Sequence, residues 1–337
     1  MTGQTTRTET EPEATALEQS PYGCGFMRTA LLLVAFNRLD YFDQTLTSLE
    51  ANKKAHDFDL HVYIDGGPNA LQDDIEERVN QTTFERVTVV RRSENWGIGR
   101  HLIDARRRLF DTFHYDCVML FEDDMILASH YVETLSNMLS WSTEYSDIGT
   151  VMAYNINPDP MDQQANQLSE IVATNRHFWG YGMTRKVWND IKPILYEFEE
   201  RYLHGVAYAH RSHRFIRWFF MRKWMKKPRK ARTGMPLIPS TLLTPPFDQK
   251  PRRCPTSQDA ITALALWHHG YARITTRVSR ARYVGKTGFS FSPEIFERMG
   301  FDDQNTPDFA SIGSAPTVFR LAQEDLNGRP LKPPKYE

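Results

Sequence analysis

Three consecutive carboxylates, Glu122-Asp123-Asp124, end the apolar run Cys117-Val-Met-Leu-Phe121 and are followed at once by Met125-Ile-Leu127. Adjacent acids repel one another unless a cation or hydrogen-bond donors compensate them. Hard oxygen ligands of this kind suit Mg²⁺ or Mn²⁺. The apolar run is too short for a buried helix and contains Val and Phe, so it reads as a central strand covered on both faces. The acids then stand at its carboxyl end, the edge where open α/β sheets bind their ligands. Seen alone, an acidic triplet fits a solvated turn as well, so its surroundings have to decide.

Those surroundings are β-α units. Thr29 to Phe36 is a buried strand, and Asn37-Arg38 lead from it into a helix with Phe42, Leu46 and Leu49 on one stripe. Leu60 to Asp65 alternates into a second strand that closes on Asp65-Gly66-Gly67-Pro68, which brings another carboxylate to the same edge. A polar helix over about 70–82 follows, then a strand at Val87 to Arg91. The loop Asn95-Trp96-Gly97-Ile98-Gly99-Arg100 opens a helix with Leu102, Ala105, Leu109 and Phe113 on one face. After the acidic strand, Ser129 is placed to cap a helix carrying Val132, Leu135 and Leu139, and Ile148 to Tyr154 reads as a further strand. This alternation predicts an α/β fold with a mostly parallel sheet flanked by helices, with Arg38, Asp65 and the triplet converging on one edge.

The second half is less regular. Phe178-Trp-Gly-Tyr-Gly-Met183 is an aromatic and glycine loop ahead of a helix at Arg185 to Leu195, readable as the floor of a sugar pocket or as a packed turn. Between Arg211 and Arg232 stand ten Lys or Arg and no Asp or Glu, interleaved with aromatic residues. Beyond a Pro-rich stretch, Asp259 begins a helix carrying Ile261, Leu264 and Ala265. An extended segment then ends in Gly285-Lys-Thr-Gly288-Phe-Ser290, whose backbone N–H groups can wrap a diphosphate. His268 and His269 are neighbours on a helix and point apart, so they do not suit a shared cation.

With 337 residues, 40% hydrophobic, the chain is long enough for a sizeable core. A net charge of -1 exerts no global pull toward nucleic acid, which is not an expected partner. Three scattered cysteines, Cys24, Cys117 and Cys254, form no disulfide framework or zinc motif and suit a reducing, cytoplasmic setting. Residues 1–27 are poor in large apolar side chains and read as a flexible tail. No apolar run reaches the roughly 18 residues of a membrane span, so any membrane contact is expected to be peripheral. The chain divides into a regular half, 28–155, that reads as a nucleotide-type site, and a less regular half, 156–337, with a basic insertion at 201–250.

Taken together, these segments resemble the GT-A glycosyltransferases, and within them the N-acetylglucosaminyltransferase I group (glycosyltransferase family 13). The resemblance runs from Thr29 to Ser290 apart from 201–250. Val118 to Leu127 is similar to that group's metal-site strand, Asn175 to Trp188 to its aromatic loop and helix, and Arg280 to Ser290 to its substrate-closing loop. It implies a GT-A, Rossmann-like fold and transfer of a sugar, N-acetylglucosamine first, from a UDP-sugar to an acceptor hydroxyl with inversion. It further implies that Asp124 ligates Mn²⁺ (or Mg²⁺), that Asp123 faces the ribose and Glu122 the sugar, and that Arg38 and Asp65 lie on the nucleotide side. Gly288 and Ser290 would belong to the closing loop, and Asp259 would be the general base. The acceptor would be a glycan, a lipid-linked saccharide, a protein or a small molecule.

Two other readings compete. A sugar-nucleotide nucleotidyltransferase also sets acids and Mg²⁺ on an α/β sheet, but it wants a Gly-rich basic loop where this chain has Asn37-Arg38-Leu39-Asp40. A non-enzymatic module would use 211–232 on an anionic surface, membrane or nucleic acid, or keep it as a solvated Arg-rich helix.

Overall fold

The computed structural model describes residues 7–8, 27–156, 161–175, 178–239, 246–247, 253–288, 292–302, 304 and 315–322. In chain order its elements begin β1 (Arg7–Thr8), β2 (Thr29–Ala35), α1 (Leu39–Glu50), β3 (Asp59–Ile64), α2 (Gln72–Asn80), β4 (Val87–Arg91) and α3 (Gly97–Arg107). They continue with β5 (Cys117–Glu122), β6 (Met125–Leu127), α4 (Tyr131–Ser142), β7 (Ile148–Met152), α5 (Met161–Ala165), β8 (Glu170–Ala173) and β9 (Tyr181–Thr184). Then come α6 (Arg185–Tyr202), α7 (His213–Phe215), α8 (Arg222–Lys226), α9 (Gln258–His268), β10 (Ala272–Thr276), β11 (Ala281–Tyr283), α10 (Pro293–Arg298) and β12 (Arg320–Leu321).

The main sheet runs β1-β4-β3-β2-β5-β9-β7-β10-β8-β12, and β6 pairs with β11 apart from it. β4, β3, β2 and β5 are mutually parallel, as the β-α alternation predicts. β9 enters antiparallel between β5 and β7. The pleat of β2 explains why its sequence is apolar throughout. Leu31, Leu33 and Ala35 face a core shared with α1 and α4, while Ala30, Leu32 and Val34 face a second core shared with α3, α6 and α9. β5 divides likewise, with Met119 and Phe121 on one side and Val118 and Leu120 on the other. A strand buried on both faces is held rigidly, so residues at its carboxyl end are placed by the core.

The structure adds elements that composition did not signal. The aromatic and glycine loop is partly a strand, β9, in which Gly182 lies under Leu139; a Cβ there would come within 2.8 Å of the Leu139 side chain. α6 runs on to Tyr202 with Pro193 inside it, well past Leu195. Ser129 does not cap α4, whose N-cap is His130 with no side-chain hydrogen bond. Most of the stretch 1–27 lies outside the described residues, although Arg7–Thr8 pairs with β4. No helix among the described residues is long and apolar enough to cross a membrane.

Candidate active site

The site sits at the carboxyl ends of β2, β3 and β5. β5 ends on Glu122, and Asp123 and Asp124 form the turn into β6. Both aspartates are buried. Arg38, just past β2, forms ion pairs with Asp123 and with Asp124, the latter at 2.9 Å, and donates to the Thr287 carbonyl at 3.3 Å. This arginine is the local cation for the triplet, which holds its own guanidinium firmly protonated. One carboxylate oxygen is left over: Asp124 Oδ1 is buried and makes no hydrogen bond. Its partner Oδ2 lies so near Gly285 that a Cβ there would come within 2.6 Å of it and of the Tyr283 hydroxyl, so only glycine lets the loop pass.

Charge is crowded here. Burial pushes the Asp123 carboxyl up to about 7 against the opposing pull of Arg38. Burial also raises Asp124, again opposed by Arg38. Glu122 is pushed well above the ordinary carboxylate range by burial first, then by the charges of Asp124 and Asp259. Four acids therefore share one low-dielectric pocket, which a divalent cation would relieve.

Asp259 joins them from the other half of the chain. It lies in the first turn of α9, where Ser257 and not Asp259 is the cap, accepting from the Ala260 amide at 3.2 Å. The Asp259 carboxyl is free of that duty and accepts from the Gln258 side chain. Gln258 is gripped in turn by the buried Arg106 at 3.0 Å, which also donates to the Tyr181 hydroxyl at 2.9 Å. Burial raises Asp259, with Arg106 and Arg273 opposing. Arg106 was missed by pattern reading, yet a signal existed: it is an arginine on the apolar stripe of α3, beside Leu102 and Ala105. Tyr283 was missed as well. Its hydroxyl hydrogen-bonds Asp124, and its ring stacks on Trp179 with centroids 4.1 Å apart and planes 4° apart.

Other expected residues fall as follows. Asp65 is buried at the end of β3, and its oxygens accept from the amides of Gly66, Trp96 and Gly97, fixing the start of α3. Gly97, with a φ of 67°, makes that approach possible. Gly288 reaches the site: a Cβ on it would lie 3.1 Å from an Arg38 nitrogen. Ser290 lies outside the described residues. Glu294, the next acid in the chain, is exposed in the first turn of α10.

Among the described residues no group of three or more His, Cys, Asp or Glu is arranged to hold a metal ion. Mg²⁺ and Mn²⁺ do not require such a group, since Mg²⁺ in particular is bound through one or two carboxylates completed by water and substrate phosphates. The unbonded oxygen of Asp124 fits such an open site.

The fold and edge define the GT-A, Rossmann-like class. Residues 31–193, just under half the chain, match the family model for glycosyl transferase family 2, so the β2-to-α6 region is a glycosyltransferase domain. No curated protein matches the sequence. Among solved structures it is similar to the mannosyltransferase PcManGT from Pyrobaculum calidifontis in complex with GDP-Man and Mn²⁺, at 14% identity and a TM-score of 0.37, over 66% of this chain and 58% of that one. It is also similar to S. aureus TarS 1–349, at 16% identity and a TM-score of 0.35, over 49% of this chain and 50% of that one. The chain thus spans less than two thirds of either structure's length.

Proposed function

We propose that the protein is a metal-dependent, inverting glycosyltransferase that moves a sugar, N-acetylglucosamine as first candidate, from a UDP-sugar to an acceptor hydroxyl. The observation that carries this reading is the meeting of two acid sets in one pocket, the triplet at the end of β5 and Asp259 at the start of α9, with Asp124 Oδ1 left unbonded. Asp124 would hold Mn²⁺ or Mg²⁺, which when bound supplies Lewis-acid stabilisation to the departing diphosphate. Asp123, set by Arg38, faces the ribose, and Glu122 the sugar hydroxyls. Arg38, paired here with the aspartates, would turn toward the diphosphate. The Gly288-to-Ser290 loop closes over it, and Asp65 holds the α3 loop on the nucleobase side. Asp259 takes the acceptor proton as the hydroxyl attacks; a carboxylate raised toward neutrality is a better base than an ordinary one. A single base facing the leaving group supports inversion. The acceptor is a glycan, a lipid-linked saccharide or a protein.

Isothermal titration of UDP with and without Mn²⁺ tests the metal assignment. Asp124→Ala should lower the Mn²⁺-dependent affinity by at least about a hundredfold, since it removes the direct ligand, while the melting temperature holds or rises because a buried charge has gone. Unchanged affinity would contradict the assignment.

A further inference from the structure

The fold divides the ten basic residues of 211–232 into two groups. One group is used inside the protein. Arg211 donates to the Thr256 carbonyl at 3.0 Å, Arg217 to that of Cys254 at 2.8 Å and Arg229 to that of Gly270 at 3.0 Å. Lys223 pairs with Glu197 and Arg232 with Asp190, each at 2.8 Å. The other group, Arg214, Arg222, Lys226, Lys227 and Lys230, faces solvent.

α7 and α8 are joined by a π-helical turn, Ile216–Met221, into one helical run with two faces. The inner face buries Ile216, Phe220 and Met221, with the Phe220 ring 5.8 Å from both Phe198 and Tyr202. The outer face carries Phe215, Trp218 and Phe219, exposed by 53%, 37% and 63%. Among the described residues these are the only exposed Phe, Tyr or Trp side chains. Arg222 and Lys226 continue their stripe, and Arg222 lies 5.6 Å over the Trp218 ring. Single exposed apolar residues need no explanation, but a stripe of three rings edged by cations does.

We propose that this stripe docks on an anionic lipid bilayer. The rings would enter the headgroup and acyl boundary while the guanidinium and ammonium groups meet lipid phosphates. The shape favours lipid over nucleic acid. Phe215 and Phe219 stack on each other with centroids 5.4 Å apart on a convex helix, whereas single-stranded nucleic acid calls for a groove with separate stacking platforms.

The helix is also stapled to the chain that leads into α9. Arg211 and Arg217 hold the Thr256 and Cys254 carbonyls, His213 holds the Thr256 hydroxyl at 2.5 Å, and the Gln258 amide donates to Tyr208 at 3.2 Å. Docking would therefore orient the start of α9, and Asp259 with it, toward a membrane-presented acceptor. The acceptor class rests on the glycosyltransferase reading; the docking does not.

Co-sedimentation of the full chain with phosphatidylcholine vesicles, with and without phosphatidylserine, tests the proposal. Binding should require phosphatidylserine and weaken as salt rises. Removing Arg214, Arg222 and Lys226 as alanines should lower partitioning about fivefold each, roughly a hundredfold together. Phe215→Ser, Trp218→Ser and Phe219→Ser combined should abolish it. UDP affinity with Mn²⁺ and melting temperature, measured on the same samples, should not move, which separates loss of docking from misfolding or loss of the donor site. Equal binding to both vesicle types, no binding, variants that bind like wild type, or salt-sensitive capture of an RNA homopolymer in place of vesicles would each overturn it.

Discussion

The two sides of the acidic site are built by different means. On the strand-edge side, Arg38, Asp65 and the acidic triplet are delivered by the ends of parallel strands buried on both faces, so the core places them directly. On the other side, Asp259 is placed by a chain of side chains: Ser257 sets the start of α9, Arg106 grips Gln258, and Gln258 holds the carboxyl. The first arrangement depends on strand register. The second depends on one buried guanidinium.

The largest effect that sharpens this contrast is at the proposed base. Asp259→Asn keeps an oxygen for Gln258 and leaves the Ser257 cap intact, but it cannot take a proton. Transfer should fall by at least about a hundredfold with donor binding and melting temperature near wild type. Normal transfer in this variant would place the base elsewhere.

Breaking the support of that side should come next. Arg106→Met takes the guanidinium donor from the Tyr181 hydroxyl and leaves Gln258 Oε1 only the longer Thr262 contact, which should cost about 2 kcal/mol in urea unfolding. It also withdraws the nearest compensating cation from Asp259, so the acid limb of the transfer profile should move to higher pH. Asp65→Asn would be the matching change on the strand-edge side. A profile that stays put in Arg106→Met would mean that Asp259 is positioned without it.

A further effect is a difference in pH response. Burial holds His61 down at about 4, below the usual imidazole value, so this side chain stays neutral in the native protein while the unfolded chain takes up a proton. Its contribution is present above about pH 6.5 and is lost as pH falls toward 4, by up to about 1.4 kcal/mol per pH unit. Asp123, raised to about 7, has the opposite sign: without metal, its penalty grows as pH rises from about 4 to 7. With a chelator present, Asp123→Asn should gain stability over wild type as pH rises through that window, and His61→Gln should lose less than wild type as pH falls. Urea midpoints at three pH values check both. Parallel curves for all three proteins would remove the electrostatic account of the pocket.

The same contrast explains what could be read from the chain. The strands of the strand-edge side announced themselves because each is one apolar run between turn signals, and their order in the chain fixed the common edge. β9 did not. It has four residues and a glycine at its centre, and it exists through antiparallel pairing with β5 and β7 and packing beneath Leu139. Asp259 was legible as an acid at a helix start, but its freedom from capping was not, because Ser257 took that role only once the helix was placed. The grip of Arg106 on Gln258 spans 152 positions in the chain, and no local pattern encodes it. In the basic segment, composition counted charges without showing which ones the fold neutralises with Glu197, Asp190 and backbone carbonyls.

The central claim, that these two sides bind a metal–nucleotide-sugar and cut it at the anomeric carbon, is tested most directly by nucleotide release. The purified protein would be incubated with UDP-N-acetylglucosamine, UDP-glucose, UDP-galactose and GDP-mannose, each with Mn²⁺ and with chelator. The account predicts release of UDP, fastest from UDP-N-acetylglucosamine, dependent on the metal and absent in Asp124→Ala. Release of sugar-1-phosphate in place of nucleoside diphosphate, or no turnover of any donor with metal present, would contradict it.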